Sequence, residues 1–198
     1  MTRILRAERV RDGYAKVTLL TLADDQGREH QREVISFGHA ACVLPYDPAR
    51  KVAMIVRVPR APLLLAGVAA TLIEAPAGMI DAGESPEAAA RREAMEETGL
   101  RLGELEPVAS CWSSPGVVAE LSHLFLASYG QSDRVAVGGG LEAEHEGVLP
   151  EEISLAELGR LQAEGSLADM KTLLLVQALR LKHPHLFKLR LGRTGHID

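Results

Sequence analysis

Gly78-Met79-Ile80-Asp81-Ala82-Gly83-Glu84, followed after seven residues by Arg92-Glu93-Ala94-Met95-Glu96-Glu97-Thr98-Gly99-Leu100, is the stretch that decides how this chain is read. Residues 86–98 are expected to form a helix. Ser85 suits the N-cap, Pro86 the first helical position, and Gly99 the C′ position that ends it. At roughly 100° per residue, Glu93 and Glu97 lie about 40° apart, and Glu96 lies about 60° to the other side of Glu93. Three carboxylates therefore share one helix face, where they repel one another unless something neutralises them. Hard divalent cations, which prefer oxygen ligands, would do so. Ala89 and Ala90, one turn earlier, are expected to leave space beside the acids. Gly78 and Gly83 bracket a turn through which backbone carbonyls can approach such cations. The rival reading is a solvated acidic helix with a glycine turn before it.

The flanking sequence supplies strands on both sides of this helix. Upstream, Tyr14 to Leu22 and Gln31 to Phe37 read as two strands joined by the turn Asp24-Asp25-Gln26-Gly27. Residues 1–37 make a small antiparallel lobe too thin to stand alone. Ala40 to Leu44 and Val52 to Val58 read as a pair turning at Pro45-Tyr46-Asp47-Pro48. The uncharged run Ala61 to Ile73 holds Pro62 and Gly67 and is shorter than the about 20 residues a membrane span needs. It reads as a loop leading to a buried strand, Thr71 to Ala75. Downstream, Val108 to Trp112, Leu121 to Tyr129 and Val148 to Ile153 read as strands, and Leu155 to Ala163 and Lys171 to Lys182 as helices. The tail from Arg190 is expected to fray. The pattern predicts an α+β fold of layered α/β/α type, with the small lobe at residues 1–37 and the main domain at 38–198.

With 198 residues, 46% apolar and 25% charged, the chain has the balance of an ordinary globular domain with a sizeable core. A net charge of −5 argues against a nucleic-acid partner. Cys42 and Cys111 lie in strand-like runs and are expected to be buried thiols, with no spacing that suits zinc. Few cysteines and a charged start without an apolar core predict the cytoplasm, and no membrane association is expected. Trp112 and His123 read as packing residues.

The opening stretch resembles the Nudix box, G-x5-E-x7-R-E-U-x-E-E-x-G-U, where U is a bulky aliphatic residue. Every glycine, glutamate and arginine of that pattern is present, and Ala94 alone departs from it. The resemblance extends over most of the chain. Glu74-Ala75-Pro76-Ala77-Gly78 is similar to the lead-in of the ADP-ribose and GDP-mannose pyrophosphatase branch. Ser114-Pro115-Gly116-Val117-Val118-Ala119-Glu120 is similar to its S-P-G-x-x-x-E stretch. Gly138-Gly139-Gly140-Leu141-Glu142-Ala143-Glu144 and Asp169-Met170-Lys171-Thr172 resemble the GDP-mannose side, with Met170 in place of a glycine.

The resemblance implies a Nudix α/β/α sandwich that hydrolyses the pyrophosphate of a nucleoside diphosphate linked to a sugar, with Mg2+, or Mn2+ in its stead. It implies metal ligation by Glu93, Glu97 and the backbone oxygen of Ala77, with Glu96 supporting the cluster or binding a further ion. Arg92 would pair with a glutamate of the box, Glu84 being the candidate. Glu144 would act as ligand or general base, and Glu146 is next in line for the base. Tyr14, Arg32, Glu33, Arg60, Glu120 and Lys171 match positions that hold nucleotide or phosphate in those relatives. Relatives with such an N-terminal lobe dimerise through it, so a homodimer is expected. The alternatives are a non-catalytic Nudix nucleotide sensor and a Nudix hydrolase of another nucleotide class.

Overall fold

Strand β4 (Ala40–Asp47) is buried at every position and forms the spine of the main sheet. The computed structural model describes residues 1–69, 71–140 and 147–188. Within them the main sheet has seven strands. Five follow the order β10 (Leu149–Ser154), β5 (Val52–Pro59), β4, β9 (Leu121–Ser128) and β8 (Glu106–Trp112), while β6 (Thr71–Glu74) pairs with β5 and β7 (Ala77–Met79) with β4. The β4–β9 pairing is parallel and the others are antiparallel.

The alternation along β4 separates two cores, because successive side chains of a strand point to opposite faces. Ala41 and Val43 pack with Met54, Phe125 and the alanines of α2 (Pro86–Thr98). Cys42, Leu44 and Tyr46 pack with α3 (Leu155–Ala163) and α4 (Met170–Lys182). The result is helix, sheet, helix: the expected α/β/α sandwich. Ser85 caps α2 by accepting from the Ala88 N–H, and Gly99 ends it at φ 70°. Ala94, the departure from the box pattern, is fully buried in the α2 core. Ala89 and Ala90 are buried there too, so they face the sheet and leave no open space beside the acids.

The N-terminal lobe is a three-stranded antiparallel sheet, β1 (Arg3–Asp12), β2 (Lys16–Ala23) and β3 (Glu29–Ser36). β1 was not anticipated from the sequence. All ten of its residues are exposed, so it carries no buried alternation to read. The lobe is tied to the main domain through Ile35, whose N–H donates to Val117 O at 2.8 Å and whose carbonyl accepts from Ala119 N at 2.8 Å.

Three further expectations change. β4 runs on through Pro45-Tyr46-Asp47, and the turn falls one step later, with Lys51 at φ 57°. The run from Ala61 opens with a short helix, α1 (Ala61–Leu65), that buries none of its side chains. Cys42 is buried as expected, but Cys111 is exposed, because β8 is the edge strand and Ser110, Cys111 and Trp112 at its end are all uncovered. Trp112 therefore does not pack into the core, whereas half-buried His123 bonds across the ladder to Ser110 Oγ at 2.9 Å. Among the described residues no helix is long and apolar enough to cross a membrane.

Candidate active site

β4 and β5 are hydrogen-bonded only at their hairpin end, Tyr46 with Ala53 and Asp47 with Val52. Beyond it they diverge. β7 pairs with β4 at Ala40–Cys42 and β6 pairs with β5 at Val56–Pro59. The chain passes from β6 to β7 through Ala75 and Pro76, and β7 leads directly into the glycine turn before α2.

The acidic face of α2 is turned onto β7. Glu97 is only 4% exposed, and its Oε2 accepts from the Ala77 N–H at 3.0 Å. Glu93 lies directly against Gly78. A Cβ built on Gly78 would fall 1.9 Å from Glu93 Oε1 and 2.1 Å from its Cδ, so only glycine leaves room for that carboxylate.

Arg92 organises the remaining acids. Its Nη2 donates to Glu84 Oε2 at 2.9 Å and to the Met79 carbonyl at 2.8 Å, and its Nε donates to Glu84 Oε1 at 3.1 Å. Its Nη1 reaches Glu93 at 2.7 Å and Glu96 at 3.3 Å. The pairing of Arg92 with Glu84 is the one anticipated above. The hydrogen bond from Arg92 holds the Glu84 carboxyl below its ordinary range, and Glu84 in turn raises the guanidinium.

The oxygen-rich set of Glu93, Glu96 and Glu97, with the Ala77 carbonyl on the facing strand, has the chemistry a hard divalent cation requires. The space kept by Gly78 for the Glu93 carboxylate fits the same group. Among the described residues, no three His, Cys, Asp or Glu side chains converge into a cage of their own. Magnesium characteristically completes its sphere with water and substrate oxygens, so a full protein cage is not needed. Glu144 and Glu146, together with Glu142, lie outside the described residues.

Gly138 to Gly140, which lead into that segment, dock on the end of α2. Gly139 N donates to Glu97 O at 2.8 Å and Gly140 N to Glu96 O at 3.0 Å. Gly138 has φ +78°, and a Cβ there would meet the Glu97 carbonyl at 2.5 Å. The glycine run was legible in the sequence; its seat on the acidic helix was not.

The residues expected to hold substrate fall in separate places. Arg60 grips buried Glu74 through two hydrogen bonds, of 2.7 and 2.9 Å, and Lys171 Nζ lies 3.7 Å from the same carboxylate. Arg32 and Glu33 line a cleft of about 420 Å3 between β2–β3 and the loop holding Pro115 and Val117, with Leu20, Leu22 and Trp112. Glu120, on that loop, accepts from Ser122 Oγ at 2.9 Å. Tyr14 is exposed on the β1–β2 turn and stacks on Phe37 at 6.2 Å.

Residues 37–175 match the NUDIX domain. The chain belongs to the Nudix family. Over 164 residues it is 40% identical to a GDP-mannose pyrophosphatase of Cronobacter sakazakii, a match covering 82% of this chain and 84% of the relative. A GDP-mannose pyrophosphatase of Escherichia coli is 37% identical over 165 residues, covering 83% and 85%. The Nudix architecture also resembles a crystal structure of an ADP compounds hydrolase, with a TM-score of 0.74 over 95% of this chain and 97% of that one, at 19% identity.

Proposed function

We infer that this Nudix hydrolase cleaves the pyrophosphate of a nucleotide sugar of the GDP-mannose or ADP-ribose type, releasing a nucleoside monophosphate and a sugar phosphate. The observation that carries this is the acidic face of α2, aimed at β7 and held by Arg92, in a chain so similar to GDP-mannose pyrophosphatases. Glu93, Glu97 and the Ala77 carbonyl would hold a divalent cation, Mg2+ or in its place Mn2+, with Glu96 supporting them. When bound, such an ion neutralises pyrophosphate charge and acidifies a water.

The chain's own residues do the rest. Arg92 fixes the carboxylates in place. Glu144, or failing it Glu146, takes the proton of the attacking water. Arg32, Arg60 and Lys171 supply charge-assisted donors to phosphate, Tyr14 offers a ring to the base, and Glu33 and Glu120 accept from the nucleotide.

Residues 1–37 serve as a dimerisation lobe on the main domain at 38–198. The exposed Ile4, Leu5 and Val10 of β1 support a homodimer that buries them. Two free thiols fit the reducing cytoplasm.

The test is to incubate the protein with GDP-mannose, ADP-ribose and other nucleotide sugars, with and without Mg2+, and to resolve the products. Metal-dependent release of nucleoside monophosphate with at least one of them is expected. Tight binding of a nucleotide without turnover would replace the enzyme with a sensor. Turnover confined to nucleoside triphosphates or dinucleoside polyphosphates would reassign the substrate class.

A further inference from the structure

The crossover from β6 to β7 runs through Ala75 and Pro76 to Ala77, the first residue of β7, and each buried backbone group there needs a partner. Pro76 has no N–H. The other two N–H groups both go to helix side chains, on opposite faces of the sheet: Ala77 N to Glu97 of α2 at 3.0 Å, and Ala75 N to Thr172 Oγ1 of α4 at 2.7 Å. The Ala75 and Pro76 carbonyls are met by β4, with Val43 N donating to Pro76 O at 3.0 Å and Cys42 Sγ to Ala75 O at 3.7 Å.

Thr172 is fully buried, and its hydroxyl works in both directions, accepting from Ala75 and donating to Asp169 Oδ2 at 2.6 Å. Asp169 caps α4 by accepting from Thr172 N at 2.8 Å, and its other oxygen takes Lys171 Nζ at 2.6 Å. Lys171 and Arg60 share Glu74, the residue just before the crossover. Capping alone needs the Asp169 carboxylate and the Thr172 N–H. The hydroxyl aimed across at the sheet backbone is additional to it.

We propose that Thr172, held by Asp169, is a positioning residue of the reaction centre: from α4 it sets the crossover that presents Ala77 to the acidic face of α2. The proposal rests on the reading that the Ala77 carbonyl is a metal ligand. It makes α4, which bears none of the box, part of the metal site, and it couples the phosphate-binding candidates Arg60 and Lys171 to that site through Glu74 and Asp169.

The experiment compares the full-length wild type, Thr172→Val and Thr172→Ser. Valine has nearly the same shape without the hydroxyl, and serine keeps the hydroxyl. Amide exchange at Ala75 and Ala77 is followed by NMR in metal-free protein, Mn2+ affinity by EPR, and kcat and KM separately. In Thr172→Val both amides are expected to lose protection, Mn2+ affinity to fall about 10- to 100-fold, the usual cost of losing a residue that orients a ligand, and kcat to fall more than KM rises. Thr172→Ser should behave as the wild type.

Loss of protection at Ala75 alone, with Ala77 and Mn2+ affinity unchanged, would overturn the proposal. So would a Thr172→Ser defect equal to that of Thr172→Val. If Thr172→Val does not fold, exchange in the wild type alone decides: Ala75 and Ala77 should open together with α4 as denaturant is raised, and independent opening of Ala77 overturns the proposal. Failure of the underlying reading is distinct: wild-type Mn2+ affinity would survive Glu97→Gln, while the exchange coupling remained.

Discussion

Gly78→Ala separates the stability of this fold from its chemistry. The new Cβ would lie 1.9 Å from Glu93 Oε1, against an ordinary contact of 3.4 Å or more, so the carboxylate must retreat by about 1.5 Å. The obstructing atoms are the tip of a flexible side chain, which can swing aside. The fold should therefore lose only about 1 kcal/mol, the low end of overpacking costs. For a chain of this length that is about 2–4 °C in Tm. The chemistry has no such freedom. Glu93 is also held by Arg92 at 2.7 Å, and moving it breaks that contact along with its position opposite β7. A 1 Å misplacement in an active site can cost about 100-fold, and two powers of ten correspond to about 2.7 kcal/mol of transition-state stabilisation. The assay is kcat/KM for nucleotide-sugar hydrolysis beside a thermal melt, with Gly103→Ala as control because a Cβ there meets nothing within 4 Å. A Gly78→Ala enzyme with kcat/KM within about threefold of wild type would refute the assignment of Glu93, since that change is worth under 1 kcal/mol.

Other consequences follow from the same geometry. Adding Mg2+ to metal-free protein should raise Tm, by about 2.7 kcal/mol of stabilisation at a hundred times Kd, and Glu97→Gln should abolish both this rise and turnover while leaving the fold intact; an equal rise in that variant would argue against Glu97 as a ligand. A thiol reagent should label one cysteine in the native protein and two after unfolding, because burial pushes the Cys42 thiol well up while Cys111 lies exposed; two fast thiols in the native state would contradict the burial of Cys42. Burial alone would raise the Asp169 carboxyl, but Lys171 and the hydrogen bonds from Lys171 and Thr172 outweigh it and hold it below its ordinary value. A depressed carboxyl stabilises the fold above its unfolded pKa of about 3.9, and that stability is lost as pH falls through the folded value. The Tm gap between wild type and Asp169→Asn should therefore be widest near neutral pH and close below about pH 4; a gap independent of pH would contradict the charge assignment.

What the sequence revealed depended on how local each signal was. Ser85, Pro86 and Gly99 mark α2 through bonds made within a few residues, and the acids of that helix share a face by periodicity alone. Arg92 reaches Glu84 across eight positions, and the family pattern encodes that pair. β1 was hidden because strand periodicity reports burial, and β1 buries nothing in this chain. β7 was hidden by its three-residue length and its glycine. Cys111 misled because an apolar run in an edge strand looks like one in a central strand until its neighbours are known. Thr172 is 97 positions from the amide it holds, and only the packing of α4 against the crossover reveals the contact.

The divergence of β4 and β5 gives these observations a common cause. If the two strands stayed paired along their length, the backbone beside α2 would be an ordinary ladder, its N–H and C=O groups consumed by the neighbouring strand. Because they are paired only at Tyr46 and Asp47, a short return strand enters the gap, and the N–H groups of Ala75 and Ala77 must donate to helix side chains. Glu97 on one face and Thr172 on the other meet that need. A carboxylate is a costly group to bury unless it is hydrogen-bonded, and at 4% exposure Glu97 is tolerable in the metal-free protein because the Ala77 N–H and further contacts are present. Around it Glu84, Glu93 and Glu96 share the single guanidinium of Arg92. Among the described residues, four carboxylates thus gather around one guanidinium. A fold selected only for stability would dilute those acids. Concentrating them beside a backbone segment freed from its ladder suits a site that would hold a divalent cation.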